Sequence, residues 1–205
     1  MDDLTLTGRW VQLEPFAEGH RVGLREAADD ARIWEHFLVD ARGPGFDRWF
    51  DDVVAQRVAG RAVPFAVRAL ADGRLVGCTC FLDYNPRHRR IEVGGTWYHP
   101  AVWGTQVNPE CKLLLFAHAF DVLGVNRLAL VTDVRNERSQ AAITTLGAVR
   151  EGVLRAHMVA RGGRVRDSVL FSVTAAEWPT VRDRLEARVR EDGPSAIGPA
   201  SPRTA

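Results

Sequence analysis

RWVQLEPF, Arg9 to Phe16, alternates Trp10, Gln12 and Glu14 with Val11, Leu13 and Pro15, the period of a half-exposed strand that stops at a proline. The rhythm then changes to helical spacing. One helix is predicted from about Glu18 to Asp30 and a second from Asp47, a candidate N-cap, to Gly60. Phe65 to Leu70 and Leu75 to Leu82 read as strands joined at Asp72-Gly73, a strong hairpin signal, and Ile91 to Tyr98 as a further strand after the Asn85-Pro86 turn. From Asn108 the pattern is helical again, with Leu113, Phe116, Ala117, Phe120 and Leu123 apolar and Gly124 at the end, and Leu128 to Thr132 follows as a short buried strand. That strand, helix, strand order predicts a right-handed crossover and therefore a parallel strand pair inside an otherwise antiparallel sheet. A helix capped by Asn136 runs to Gly147, a long hairpin turns at Gly162-Gly163, and a closing helix spans Trp178 to Val189.

Length and composition narrow the class. The 205 residues suit one domain, expected over 1–190, and residues 191–205 have almost no core-forming side chains and are expected to be a disordered tail. Hydrophobic residues at 46% and charged residues at 26% are a globular balance, with no apolar run long enough for a membrane span. The start MDDLTLTGRW lacks the cationic and apolar segments of an export signal, so a cytoplasmic protein is expected. A net charge of +1 gives no electrostatic footprint for nucleic acid. Cys78, Cys80 and Cys111 are odd in number and lack CxxC spacing, which points to buried thiols, with neither a disulfide framework nor a metal site.

The chemistry concentrates in VWGTQVNPECK, Val102 to Lys112. A glycine turn leading into a helix aims several backbone N–H groups and the positive end of the helix at one point, a generic anion site. Thr105, Gln106, Val107 and Asn108, after the Gly104 turn, are the candidate donors, with Pro109 as the first helical residue; a well-made helix start explains the same letters. If position 106 needs positive φ, its glutamine costs about 1 to 2 kcal/mol, so a right-handed conformation is expected there. DVRNERSQ supplies the second element: Asn136 as N-cap puts Ser139 in the first helical turn, which is capping alone or a ligand contact. Two helix starts that follow parallel strands converge on a crevice at the strands' C-terminal ends, the usual ligand position.

The stretches EVGGTWYHPAVWGTQVNPECKLLLFAHAF, RLALVTDVRNERSQAAITTLGAVREGVLR and RDSVLFSVTAAEWP, in this element order, resemble the GCN5-related N-acetyltransferase (GNAT) family, and more narrowly its RimJ/RimL-like branch of ribosomal-protein N-terminal acetyltransferases. The likeness runs from Leu4 to about Arg190. That branch usually reads WGxGxxxEA where this chain keeps Trp103, Gly104 and Glu110 but has Gln106. The resemblance implies an α/β (α+β) GNAT fold, a mixed and mostly antiparallel sheet with a central splayed parallel pair flanked by helices. It implies acetyl-CoA as co-substrate, with pantetheine along Thr96, Trp97 and Tyr98, the pyrophosphate at Gly104 to Asn108, Asn136 on the pantetheine arm, Ser139 near the sulfur, and Arg135 and Arg138 near phosphates. It also implies an amine acceptor (a protein N-terminus, a lysine or a small molecule) and a homodimer.

Group chemistry assigns the remaining roles. A backbone N–H near Tyr98 is the candidate oxyanion donor and Ser139 the donor to the leaving thiolate. Glu92 is the first candidate base, through water, with His157 second and Met158 where the branch's hairpin glutamate is expected. Trp34, Phe37, Phe46, Trp49 and Phe50 are read first as core, and Asp83, Asp133 and Asp167 as candidate carboxylates at the acceptor mouth. A catalytically silent CoA-binding module and an enzyme that modifies cationic drugs are the competing readings.

Overall fold

A computed structural model describes residues 3–190; the expected tail at 191–205 lies outside them. Eight strands form one sheet: β1 (Leu6–Thr7), β2 (Val11–Pro15), β3 (Ala62–Ala69), β4 (Leu75–Asn85), β5 (Arg90–Tyr98), β6 (Arg127–Asp133), β7 (Val149–Val159) and β8 (Val165–Thr174). Their order is β1-β2-β3-β4-β5-β6-β8-β7. Each neighbouring pair is antiparallel except β5 and β6, which run parallel. This is the mixed sheet with one parallel pair that the strand, helix, strand pattern predicts.

Helices α1 (Arg21–Ala28), α2 (Ala31–Trp34) and α3 (Gly45–Val58) pack on one face, and α4 (Val107–Ala117), α5 (Glu137–Leu146) and α6 (Trp178–Arg190) on the other. Strand alternation divides the side chains between two cores: Cys78, Cys80 and Trp97 join Leu24, Trp34, Phe46 and Phe50 on the first face, while Phe81, Ile91 and Val93 join Cys111, Leu115, Ile143 and Leu185 on the second. The three cysteines are free and buried, as expected.

Element boundaries differ where short-range chemistry is ambiguous. The second long helix starts at Gly45 and leaves Asp47 in its first turn, where an acid favours the helix dipole as well as a cap would. Helix α4 begins at Val107 with Gln106 as N-cap, so Pro109 is its third residue; a proline there still removes only an N–H that has no helical partner. Glu110, one residue on, is 3% exposed and accepts the backbone N–H groups of Arg9, Trp10 and Val11 at 2.7, 2.6 and 2.8 Å. One carboxylate thus pins the start of β2 to α4.

Candidate active site

Strands β5 and β6 pair only at Arg90 with Arg127, Ile91 with Leu128 and Glu92 with Ala129. Beyond these pairs they part. The cause is local: between the Cys80–Gly94 and Cys78–Trp97 pairs, β5 carries one more residue than β4, and Gly95 takes φ +58°. This is a β-bulge, which bends its strand and leaves backbone groups unpaired, and a residue with a Cβ is strained at that φ. The gap opens a cavity of about 450 Å³ lined by Glu92 to Tyr98 on one side and Leu130 to Asp133 on the other.

Register decides which amides face the gap. His99 N–H donates to Val76 O at 2.8 Å and Gly77 stands opposite Tyr98, so the flanking groups of β5 point to β4 and the Tyr98 N–H points to the gap. The Tyr98 carbonyl accepts the Trp103 indole N–H at 2.9 Å, and the Arg138 guanidinium stacks 3.5 Å from the Trp103 ring centroid. Gly104 supplies the turn that follows, at φ +76°. Gln106 sits at φ −70°, ψ −12°, ordinary right-handed backbone, so the glutamine at this position carries no conformational strain.

Across the gap, Asn136 caps α5 by accepting the Ser139 N–H at 3.0 Å. Ser139 lines the cavity half-buried, and its hydroxyl makes no hydrogen bond to the described residues. The cavity therefore gathers Glu92, Thr96, Trp97, Tyr98, Gly104, Asn108, Asn136, Arg138 and Ser139 from the expected set. Thr105, Gln106 and Val107 are not in its wall: Thr105 hydroxyl donates to Val102 O at 2.7 Å and Val107 is buried in the core. Arg135 is exposed and also outside it.

The second candidate base lies outside the cavity wall. His157 is exposed and absent from the wall, while its neighbour Met158 lines it, because successive strand residues face opposite sides. Of the three aspartates, only Asp133 reaches the cavity, and its carboxylate is engaged by Arg164 and by the Arg135 N–H. Asp83 pairs with Arg90, and Asp167 accepts the Ala156 N–H at 2.7 Å. Trp34, Phe46 and Phe50 are core, as is most of Trp49, whereas Phe37 joins Ile33, His36 and Leu38 in the cavity wall.

Electrostatics separate the site's two carboxylates. Burial pushes the Glu92 carboxyl above the usual range, Asp83 adds to the rise, and Arg166 and Arg90 oppose it. Asp133 stays below its usual range: burial acts against this, but the Arg135 N–H and the Arg164 and Arg166 charges outweigh it. Two cations were missed from sequence. Lys112 is 4% exposed on α4 and Arg166 8% exposed on β8, and both line the cavity. A lysine in an apolar helix and an arginine alternating into a strand's inner face were the available signals.

The sequence profile described as "Acetyltransferase (GNAT) domain" matches residues 11–149. The chain belongs to the GNAT acetyltransferase family. Among the relatives of this GNAT chain is YdaF of Bacillus subtilis, which carries the provisional name of a ribosomal N-acetyltransferase and is 29% identical over 53% of this chain. The chain matches only 58% of the length of YdaF. A GCN5-related N-acetyltransferase from Brucella melitensis superposes with a TM-score of 0.86 and 27% identity, covering 93% of this chain and 87% of that one. RimJ of Mycobacterium smegmatis, solved with CoA-disulfide, shares the fold at a TM-score of 0.76 and 20% identity, covering 90% of this chain and 94% of that one.

Proposed function

We propose that this GNAT chain transfers the acetyl group of acetyl-CoA directly to a primary amine. The observation that carries the reading is the parting of β5 and β6 into a cavity walled by a free Tyr98 N–H, the Ser139 hydroxyl and Glu92. Acetyl-CoA is a substrate here, consumed at each turnover. The unpaired backbone at Thr96 to Tyr98 matches the amide groups of a pantetheine arm, and the Gly104 turn with the start of α4 suits its pyrophosphate. The Asn136 side-chain amide N–H₂ remains free to donate to the arm, since only its oxygen is used in the cap.

Glu92 takes a proton from the amine, directly or through water, and the neutral nitrogen bonds to the acetyl carbon. Negative charge that develops on the acetyl oxygen in the tetrahedral intermediate falls to the Tyr98 N–H, which needs no reorientation to receive it. The carbon–sulfur bond then breaks as the nitrogen gives up its second proton, and Ser139 Oγ–H hydrogen-bonds the departing thiolate or passes it a proton while taking the nitrogen's in return, which leaves the amide and the CoA thiol. A raised Glu92 carboxyl fits this work, since a base with a pKa closer to neutrality moves protons both ways. The same reading includes a cytoplasmic protein, a homodimer and an acceptor amine on a protein N-terminus, a lysine or a small molecule. Among the described residues no helix is long and apolar enough to cross a membrane.

The test pairs thermal shift with thiol release. Acetyl-CoA should stabilise the fold, and free CoA thiol should appear when a panel of amines is added. Stabilisation without thiol release from any amine identifies a silent CoA-binding module, and the absence of both removes the reading.

A further inference from the structure

The cavity wall holds a cation whose hydrogen-bonding capacity is mostly unspent. Arg166 is 8% exposed, and its Nε donates to Ser168 Oγ at 3.1 Å. Its approach to Asp133 is 3.8 Å, beyond hydrogen-bond length, and the Asp133 oxygens already serve Arg164 and the Arg135 N–H. Among the described residues, the two terminal amino groups of Arg166 make no hydrogen bond. A guanidinium has five N–H donors in a planar fork, and Asp133 meets the charge of Arg166 only at Nε, at 3.8 Å, which leaves the terminal donors to an acceptor that enters the cavity.

The surroundings set two cations on one carboxylate. Arg164 and Arg166 both face Asp133, whose oxygens already serve Arg164 and the Arg135 N–H, and Glu92, whose carboxyl burial pushes up, stands in the same cavity wall. Glu92 and Arg166 line the same cavity, and each lies in the other's field. Met158, paired in register with Arg166, adds an apolar wall. A polyamine or an aminoglycoside would bring further positive charge to this place.

We propose that Arg166 is a specificity-determining residue whose free guanidinium edge receives a carboxylate that the acceptor carries close to the amine being acetylated. The inference rests on the acetyl-transfer reading and names its substrate class. Two sources supply that chemistry: the α-carboxylate of a free amino acid, and an acidic side chain beside a peptide's N-terminal amine. In either case the amine lies towards Glu92 and the carboxylate forms two parallel N–H···O bonds with Arg166.

The experiment uses the CoA-loaded full chain. Binding is measured by calorimetry for the twenty L-α-amino acids, each against its amide, and for Ser-Asp-Gly-Gly-amide against Ser-Asn-Gly-Gly-amide. Turnover with acetyl-CoA is measured on the same compounds. The expected result is that in at least one pair the acid member binds and reacts about tenfold better or more, the usual worth of a charge-assisted pair. Arg166→Gln should erase that preference while acetyl-CoA still stabilises the fold, and Arg166→Lys should restore part of it. Equal performance of acid and neutral members, no binding by any compound, or a preference that survives Arg166→Gln would overturn the proposal. Discrimination in binding without any turnover would leave it standing and remove acetyl transfer; turnover without discrimination would do the reverse.

Discussion

Lys112 Nζ donates to the Thr96 hydroxyl at 2.8 Å, and that hydroxyl lies 2.8 Å from the hydroxyl of Thr79, so a buried amine ties α4 to β5 and, through it, to β4. No carboxylate pairs with it among the described residues. Burial lowers its pKa from 10.5 to about 8.

The consequence for stability has a defined sign. Below about pH 8 the lysine is charged in both the folded and unfolded chain, and the desolvation penalty is present in full. Between about 8 and 10.5 the unfolded chain holds more protons, so this group's contribution becomes more favourable as pH rises. Lys112→Met removes the effect: at pH 7 the variant should be more stable by up to about 3 kcal/mol, and the difference from the parent should shrink towards pH 10. Urea unfolding of both proteins across that range checks it, with the titrating thiols and tyrosines cancelling in the difference.

Ser139→Ala should lower kcat by about tenfold to a hundredfold and change the acetyl-CoA dissociation constant less than about twofold, because the hydroxyl is asked only to assist the leaving thiolate. The cap itself survives, since Asn136 bonds the backbone N–H of residue 139 and not its side chain. Single-turnover kinetics with separate binding measurements distinguish the two effects.

Glu92→Gln should reduce kcat/KM by about two to four orders of magnitude near neutral pH. In the parent the carboxylate must be ionised to act as base, so activity rises with pH through a value above the ordinary carboxyl range of 4.5. The variant should lose that acid limb. A pH profile in which the limb persists in Glu92→Gln would assign the base elsewhere.

Glu110→Ala leaves three backbone N–H groups of Arg9, Trp10 and Val11 without their acceptor. A loss of about 2 to 4 kcal/mol is expected, from the cost of unsatisfied buried donors. Equilibrium denaturation measures it, and Glu110→Gln, which keeps one acceptor oxygen, should fall between.

Much of this architecture is written in short-range signals. Asp72-Gly73 marks the β3–β4 hairpin, Asn136 the start of α5 and Gly147 its end, because each of those residues meets a local backbone requirement by itself. The site was legible in part. Glu92, Tyr98, Asn136 and Ser139 fall on elements whose ends are predictable, and they arrive together at the gap. The bulge at Gly95 was hidden, since two glycines within an apolar strand do not reveal how many residues the neighbouring strand sets against them. The direction of His157 was hidden for a related reason: between the Leu154–Ser168 and Met158–Arg166 pairs β7 carries three residues against one on β8, with Ala156 at φ +50°, and sequence alternation alone does not say which side of the hairpin meets the cavity. Lys112 and Arg166 gain their meaning from burial, which depends on partners distant in the chain.

Gln106 offers a direct check on the loop. Since residue 106 is right-handed backbone, Gln106→Gly should bring no gain in affinity for acetyl-CoA and should cost up to about 1 kcal/mol of stability through added freedom of the unfolded chain. Gly104→Ala, at φ +76°, should cost about 1 to 2 kcal/mol. Thermal unfolding and calorimetric titration compare them.

Three rungs join β5 to β6, against seven between β6 and β8. The two halves of the sheet are therefore fastened weakly at their midline, and a molecule that entered the gap would stand in for the absent strand between them. On that geometry an occupied gap is expected to stiffen the middle of the fold, and release to loosen it again.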